Sequence, residues 1–180
     1  MNLPRTSGDE VLIGVAITVP EPFGSVLAAA RARFGDPAAE QIQPHVTLLM
    51  PTVIGAHDVD RVDAHLAAAG SRSAPFVLQL RGSATFRPVS PVVFVEVVRG
   101  ISGCEQLERE VRSGPLAQDL RFPYHPHVTV AHELCDEALD TAFDALATFG
   151  ATFVVDRFHR YLHGDDGAWR PAREHLLTGA

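Results

Sequence analysis

Apolar and polar positions along this chain fall into short blocks, each with its own period. Residues 11–19 are a Val- and Ile-rich run halted by Pro20 and Pro22, which predicts a strand. Phe23, Val26, Leu27, Ala30 and Phe34 then return at helical spacing and predict an amphipathic helix ending near Gly35. Residues 43–50 are expected as a strand closed by Pro51, and residues 58–69 as a helix with Val59, Val62, Leu66 and Ala69 on one side. Residues 76–80 and 92–98 predict two more strands. The second half repeats this order: a helix over 101–112, a strand over 126–132, a helix over 136–149 and one long strand over 152–163. Gly164-Asp165-Asp166-Gly167 has hairpin-turn chemistry, and residues 169–177 would return as the last strand. Helices on one face of each sheet would leave the other face free, and two such faces would enclose a cleft.

The likeness of the two halves extends to particular residues. Pro44-His45-Val46-Thr47-Leu48 reappears as Pro126-His127-Val128-Thr129-Val130, with the histidines 82 positions apart. Phe86-Arg87-Pro88 answers to Trp169-Arg170-Pro171, and Phe76-Val77-Leu78 to Phe153-Val154-Val155. Self-similarity of this kind sets the architecture before local detail does. The expected organisation is a disordered polar tail over residues 1–10 and one two-lobed domain over 11–180. Within the domain, halves at about 11–90 and 91–171 are followed by a closing strand over 172–177.

Composition narrows the chemistry. At 180 residues with 46% apolar and 21% charged side chains, the chain can bury one sizeable core. No apolar run approaches the length of a membrane span and the first residues lack a signal-peptide pattern, so a cytoplasmic location is expected. Cys104 and Cys135 stand apart, without a C-x-x-C pair, and are assigned as buried hydrophobes. All fifteen basic residues are arginine, which removes a P-loop lysine, a Schiff-base lysine and a lysyl adenylate from the list of mechanisms. A formal charge of −7 argues against coating long nucleic acid and favours a small anionic substrate or a terminus.

The repeated motif carries the chemistry. On a strand, His45 and Thr47 point to one side while Val46 points to the other, and the same holds for His127, Thr129 and Val128. Two imidazoles, each with a hydroxyl beside it, suit attack on a phosphate from opposite sides. One histidine can act as base and one as acid near neutral pH, and the threonines can donate to the non-bridging oxygens where charge builds up. Which histidine takes which role is left open by the sequence.

Paired His-x-Thr motifs on strands of a duplicated α/β chain resemble the 2H phosphoesterase superfamily, in particular its LigT-like, or 2′-5′ RNA ligase-like, branch. The prolines before both histidines and the Leu48-Leu49-Met50-Pro51 closing the first motif fit the same pattern. The resemblance covers the chain from the first predicted strand to the last. It implies an α+β bilobal fold, with two antiparallel sheets facing a central cleft and helices on the outer faces. It further implies a metal- and cofactor-independent reaction at a 2′,3′-cyclic phosphate or 2′-5′ linkage, on a small nucleotide or the 3′ end of an RNA, by a monomer with a role in RNA processing. Family members often carry an arginine shortly beyond the second motif, where this chain has His132.

Several neighbours admit two readings. Tyr124 is a candidate for stacking on a base or for packing in the core. His132 is a candidate substrate contact. His125, His127 and His132, with His45, could imitate an imidazole metal site, although no acid stands at a spacing that suggests a ligand set. Arg87 and Arg170 either reach phosphate or serve as turn arginines, the second being favoured, and Trp169 is assigned to the core. The alternatives to the phosphoesterase are a noncatalytic binder of nucleotides or RNA ends, and a metal-dependent hydrolase using the histidine cluster.

Overall fold

A computed structural model describes residues 3–180. Its strands are β1 (Glu10–Thr18), β2 (His45–Gly55), β3 (Phe76–Thr85), β4 (Val92–Arg99), β5 (His127–His132), β6 (Gly150–Val155), β7 (Arg157–His163) and β8 (Trp169–Leu176). The helices are α1 (Phe23–Arg33), α2 (Val59–Arg72), α3 (Ile101–Val111) and α4 (Asp136–Leu146). Two four-stranded antiparallel sheets result, ordered β2-β1-β7-β8 and β5-β4-β3-β6. The α+β architecture is the one expected. Of the tail over residues 1–10, residues 1 and 2 lie outside the described residues, and Glu10 already belongs to β1 with its N–H on the Ser7 carbonyl.

β1 and β4 are internal strands of their sheets, and both are nearly continuous apolar runs buried on both faces. Edge strands β2 and β5 alternate instead, with His and Thr half-buried and the Val between them buried. Those two edges touch each other, so the motif strands form the seam between the sheets. Helices reinforce the seam crosswise: α1 reaches β5, and α3 reaches β2. α4 packs on β3, β4 and β5, and α2 on β8 and α3. One apolar cluster joins Ile13 and Ile17, Leu27, Val46, Leu66, Leu78, Val95, Leu107, Val128, Leu139 and Phe158, drawn from both sheets and all four helices. Among the described residues no helix is long and apolar enough to cross a membrane.

Several sequence expectations are corrected. The single strand over 152–163 is two strands, divided at Asp156, and they belong to different sheets. β6 pairs with β3, placing Phe153 beside Leu78, while β7 pairs with β1. Phe153-Val154-Val155 is therefore the neighbour of Phe76-Val77-Leu78 and not its counterpart. An unbroken apolar run gives no signal at a point where the chain changes sheets. β2 does not stop at Pro51 but continues to Gly55, because the register between β1 and β2 shifts across this stretch and the missing proline N–H falls at the irregularity. Val26 is 51% exposed; the stripe that α1 turns inward is Gly24, Leu27, Ala30 and Arg31. Cys135 is exposed at the start of α4, and only Cys104 is buried. Helix α3 begins after Gly100, whose φ of 91° is a left-handed conformation that favours glycine.

Candidate active site

The seam places both motifs in one cleft of about 550 Å³, lined by His45, Thr47, His127 and Thr129. Each motif is set by its strand register: His45 lies opposite Thr18 and Thr47 opposite Ala16, while His127 lies opposite Glu96 and Thr129 opposite Phe94. Both histidines are held in the same way. Nδ1 of His45 is 2.7 Å from the Gln43 carbonyl, and Nδ1 of His127 is 2.6 Å from the His125 carbonyl. A carbonyl can only accept, so Nδ1 carries the proton in both rings and Nε2 is left as the nitrogen for chemistry. The carbonyl two residues upstream of each motif thus fixes the tautomer.

The surroundings of the two rings differ. His127 is bracketed by Phe86 and Phe94, each with ring centroid 5.0 Å away, and His125 lies against both phenylalanines. His45 faces Tyr161, whose centroid is 6.4 Å off and whose hydroxyl is 2.6 Å from Thr18 Oγ1; that oxygen is also 3.1 Å from His159 Nδ1. Burial pushes the His45 pKa down to about 4, against the Gln43 hydrogen bond, and the charges of Arg31 and His127 push the same way. His127 is lowered as well, by burial first, with its carbonyl bond opposing and His125 adding to the effect. Burial therefore favours the neutral form of both imidazoles, most strongly at His45.

His132 joins the lining of the cleft, with Nε2 3.8 Å from the Glu133 carboxylate. Tyr124 is turned to the core instead. Its ring packs against the apolar cluster, and its hydroxyl donates to the Thr47 carbonyl at 3.0 Å, so it braces the motif strand and is not among the residues lining the cleft. Arg87 donates to Asp140 at 2.7 Å and Arg170 to Asp166, which places both guanidinium groups on carboxylates and not on the cleft. It is the aromatic member of each repeated triplet, Phe86 and Trp169, that lines the cleft. Trp169, assigned to the core from sequence, stands over Gly14, where an added Cβ would lie 3.3 Å from the indole. Among the described residues no three His, Cys, Asp or Glu side chains are grouped to hold a metal ion, so the histidine cluster lacks the geometry of an imidazole metal site. Arg31, Asp36 and Tyr161 were missed, because no repeat or motif marks them.

Two antiparallel sheets that meet at a seam, each contributing one His-x-Thr pair to a shared cleft, define the two-lobed fold of the 2H phosphoesterases. The chain belongs to the 2′-5′ RNA ligase superfamily, whose sequence profile matches residues 19–167. A protein of Bacillus licheniformis whose name places it provisionally among the phosphoesterases is 27% identical over 169 residues, covering 93% of this chain and 98% of its own. A similarly named protein of Bacillus pumilus is 27% identical over 161 residues, covering 87% and 91%. Among solved structures, E. coli LigT with NADP+ matches at a TM-score of 0.70 and 22% identity, over 95% of this chain and 99% of that one. LigT with 3′-AMP matches at a TM-score of 0.64 and 18% identity, over 94% and 99%.

Proposed function

We propose that this protein is a metal-independent phosphoesterase that opens a 2′,3′-cyclic phosphate or a 2′-5′ linkage on a nucleotide or RNA end. The observation that carries the reading is the matched pair of imidazoles, each with Nδ1 tied to a carbonyl two residues upstream and each facing one cleft. His45, held neutral by burial and by the charge of Arg31, is the base: its Nε2 takes a proton from water as the water oxygen bonds to phosphorus. His127 is the acid. It acts in its protonated form: with Nδ1–H kept on the His125 carbonyl, its Nε2–H protonates the ribose oxygen as the P–O bond breaks, leaving a phosphate monoester, a neutral His127 ring and a protonated His45. Thr47 and Thr129 donate to the non-bridging oxygens as charge builds on them. With a ribose or 5′ hydroxyl in place of water, the same site would form a phosphodiester.

The substrate class is supported by the neighbours. LigT has been crystallised with 3′-AMP and with NADP+, both of which carry a phosphate monoester on a ribose 2′ or 3′ oxygen. That is the product expected from a cyclic phosphate. The test is turnover of the four 2′,3′-cyclic nucleoside monophosphates in excess EDTA, with the 2′ and 3′ products resolved. The proposal expects chelator-resistant release of a single monoester isomer. Failure to turn over or bind any of the four would overturn the mononucleotide reading and favour a noncatalytic binder; activity that dies in EDTA would favour a metal enzyme.

A further inference from the structure

Arg31 enters the chemistry above only through its charge on His45, and its guanidinium is given no contact with substrate there. Arg31, in the last turn of α1, is only 5% exposed, yet it lines the cleft together with Asp36. Its Nε donates to Asp36 Oδ2 at 2.9 Å, and among the described residues this is the one hydrogen bond its guanidinium makes. Asp36 is itself 4% exposed, and its second oxygen accepts the Ala38 N–H at 2.9 Å. The backbone of the turn Pro37–Ala39 thus fixes the carboxylate, and the carboxylate fixes the guanidinium.

Arg160 shows what a purely structural buried arginine does in this fold. Its Nε and one terminal nitrogen close on the two oxygens of Asp63, at 2.7 and 3.0 Å. Arg31 offers its partner the Nε edge alone and keeps both terminal nitrogens. Among the described residues His175 Nε2 is the one sealed side-chain polar atom without a partner, so the Arg31 terminal nitrogens stay open to the cleft, where a ligand or water can meet them. Among the described residues lining the cleft, Arg31 is the sole arginine, and the chain has no lysine. His132, the other candidate contact for an anion, has Nε2 3.8 Å from the Glu133 carboxylate.

We propose that Arg31 binds substrate, receiving an anionic phosphate oxygen on its terminal nitrogens, with Asp36 as its positioning residue. The proposal deepens the phosphoesterase reading and rests on it. A guanidinium fork suits phosphate oxygens, and a fixed cation beside His45 would hold the anion next to the base in a protein whose overall charge is −7.

The test is calorimetric titration of inorganic phosphate and of 3′-AMP into wild type, Asp36→Asn and the double variant Arg31→Gln/Asp36→Asn. The double variant removes the charge without stranding a buried carboxylate. Its affinity should fall about 10- to 100-fold, the usual worth of a charge-assisted hydrogen bond. Asp36→Asn should lose less than the double variant, because its amide oxygen can still accept the Arg31 Nε–H although its NH2 then faces the Ala38 N–H. In turnover, KM should rise by the same factor as the dissociation constant. Unchanged affinity in the double variant overturns the proposal, and so does an equal loss in Asp36→Asn, which would mark a structural role. Wild type that binds neither ligand overturns the phosphoesterase reading itself, an outcome distinct from these two.

Discussion

In the proposed mechanism, two histidines with the same hydrogen bond to the backbone take different roles because their surroundings differ. Burial lowers both, but Arg31 adds its charge only at His45, while His127 sits between phenylalanine rings. The pH dependence follows in sign. Protonation of His45 as pH falls toward about 4 removes the base, so kcat/KM is lost on the acid side. Deprotonation of His127, whose pKa lies below the ordinary 6.5, removes the acid, so activity is also lost as pH rises. A bell with its maximum on the acid side of neutrality is the expected profile; a kcat/KM that climbs steadily to pH 9 would contradict the assignment. His132→Arg should lower KM, because a permanent guanidinium charge would then line the cleft beside the phosphate. An unchanged KM would remove His132 from the substrate contacts.

At the scale of the element, the site depends on braces outside the motifs. Tyr124 ties the loop before β5 to the Thr47 carbonyl on β2, spanning the seam between the two sheets. Tyr124→Phe should cost about 1 kcal/mol, or about 2–4 °C in Tm for a chain of this size, and reduce kcat while leaving KM nearly unchanged. Full stability in the variant would show that the bond contributes nothing. Legibility from sequence follows the same division between local and distant causes. The alternation around His45 and His127 is local, so the motif strands and their cleft-facing side chains could be read from period alone. Whether Tyr124 faces a base or the core depends on Thr47, 77 positions away, which no period reports. The break at Asp156 and the continuation of β2 through Pro51 depend likewise on strand partners chosen elsewhere in the chain. Arg31 and Asp36 escaped because a buried ion pair between a helix and the turn after it has no sequence signature.

For the molecule as a whole, β3 leaves the first half to pair with β4, and β7 returns from the second half to pair with β1. If the chain is a duplicated unit with halves near 11–90 and 91–171, each half lends a strand to the other's sheet, and neither can complete its sheet alone. Thermal unfolding should therefore be one cooperative transition; two separate transitions would contradict a shared core. Its midpoint should depend on pH with a definite sign. His45, His127, His159 and His175 are all lowered in the folded protein, chiefly by burial. Between the unfolded value of 6.5 and the folded value of about 4 for His45, the unfolded chain binds more protons than the native one. This contribution to stability is complete above about 6.5 and is lost as pH falls through that window.

In the proposed reaction two imidazoles from two sheets act on one phosphate. Its most direct test is the turnover of the best 2′,3′-cyclic substrate by His45→Ala and His127→Ala beside wild type, in excess EDTA and with folding checked by circular dichroism. Each proton-transfer role is worth roughly 10²- to 10⁴-fold, so both variants should lose at least about 100-fold in kcat while still binding 3′-AMP. Either variant turning over at the wild-type rate would contradict the two-histidine mechanism.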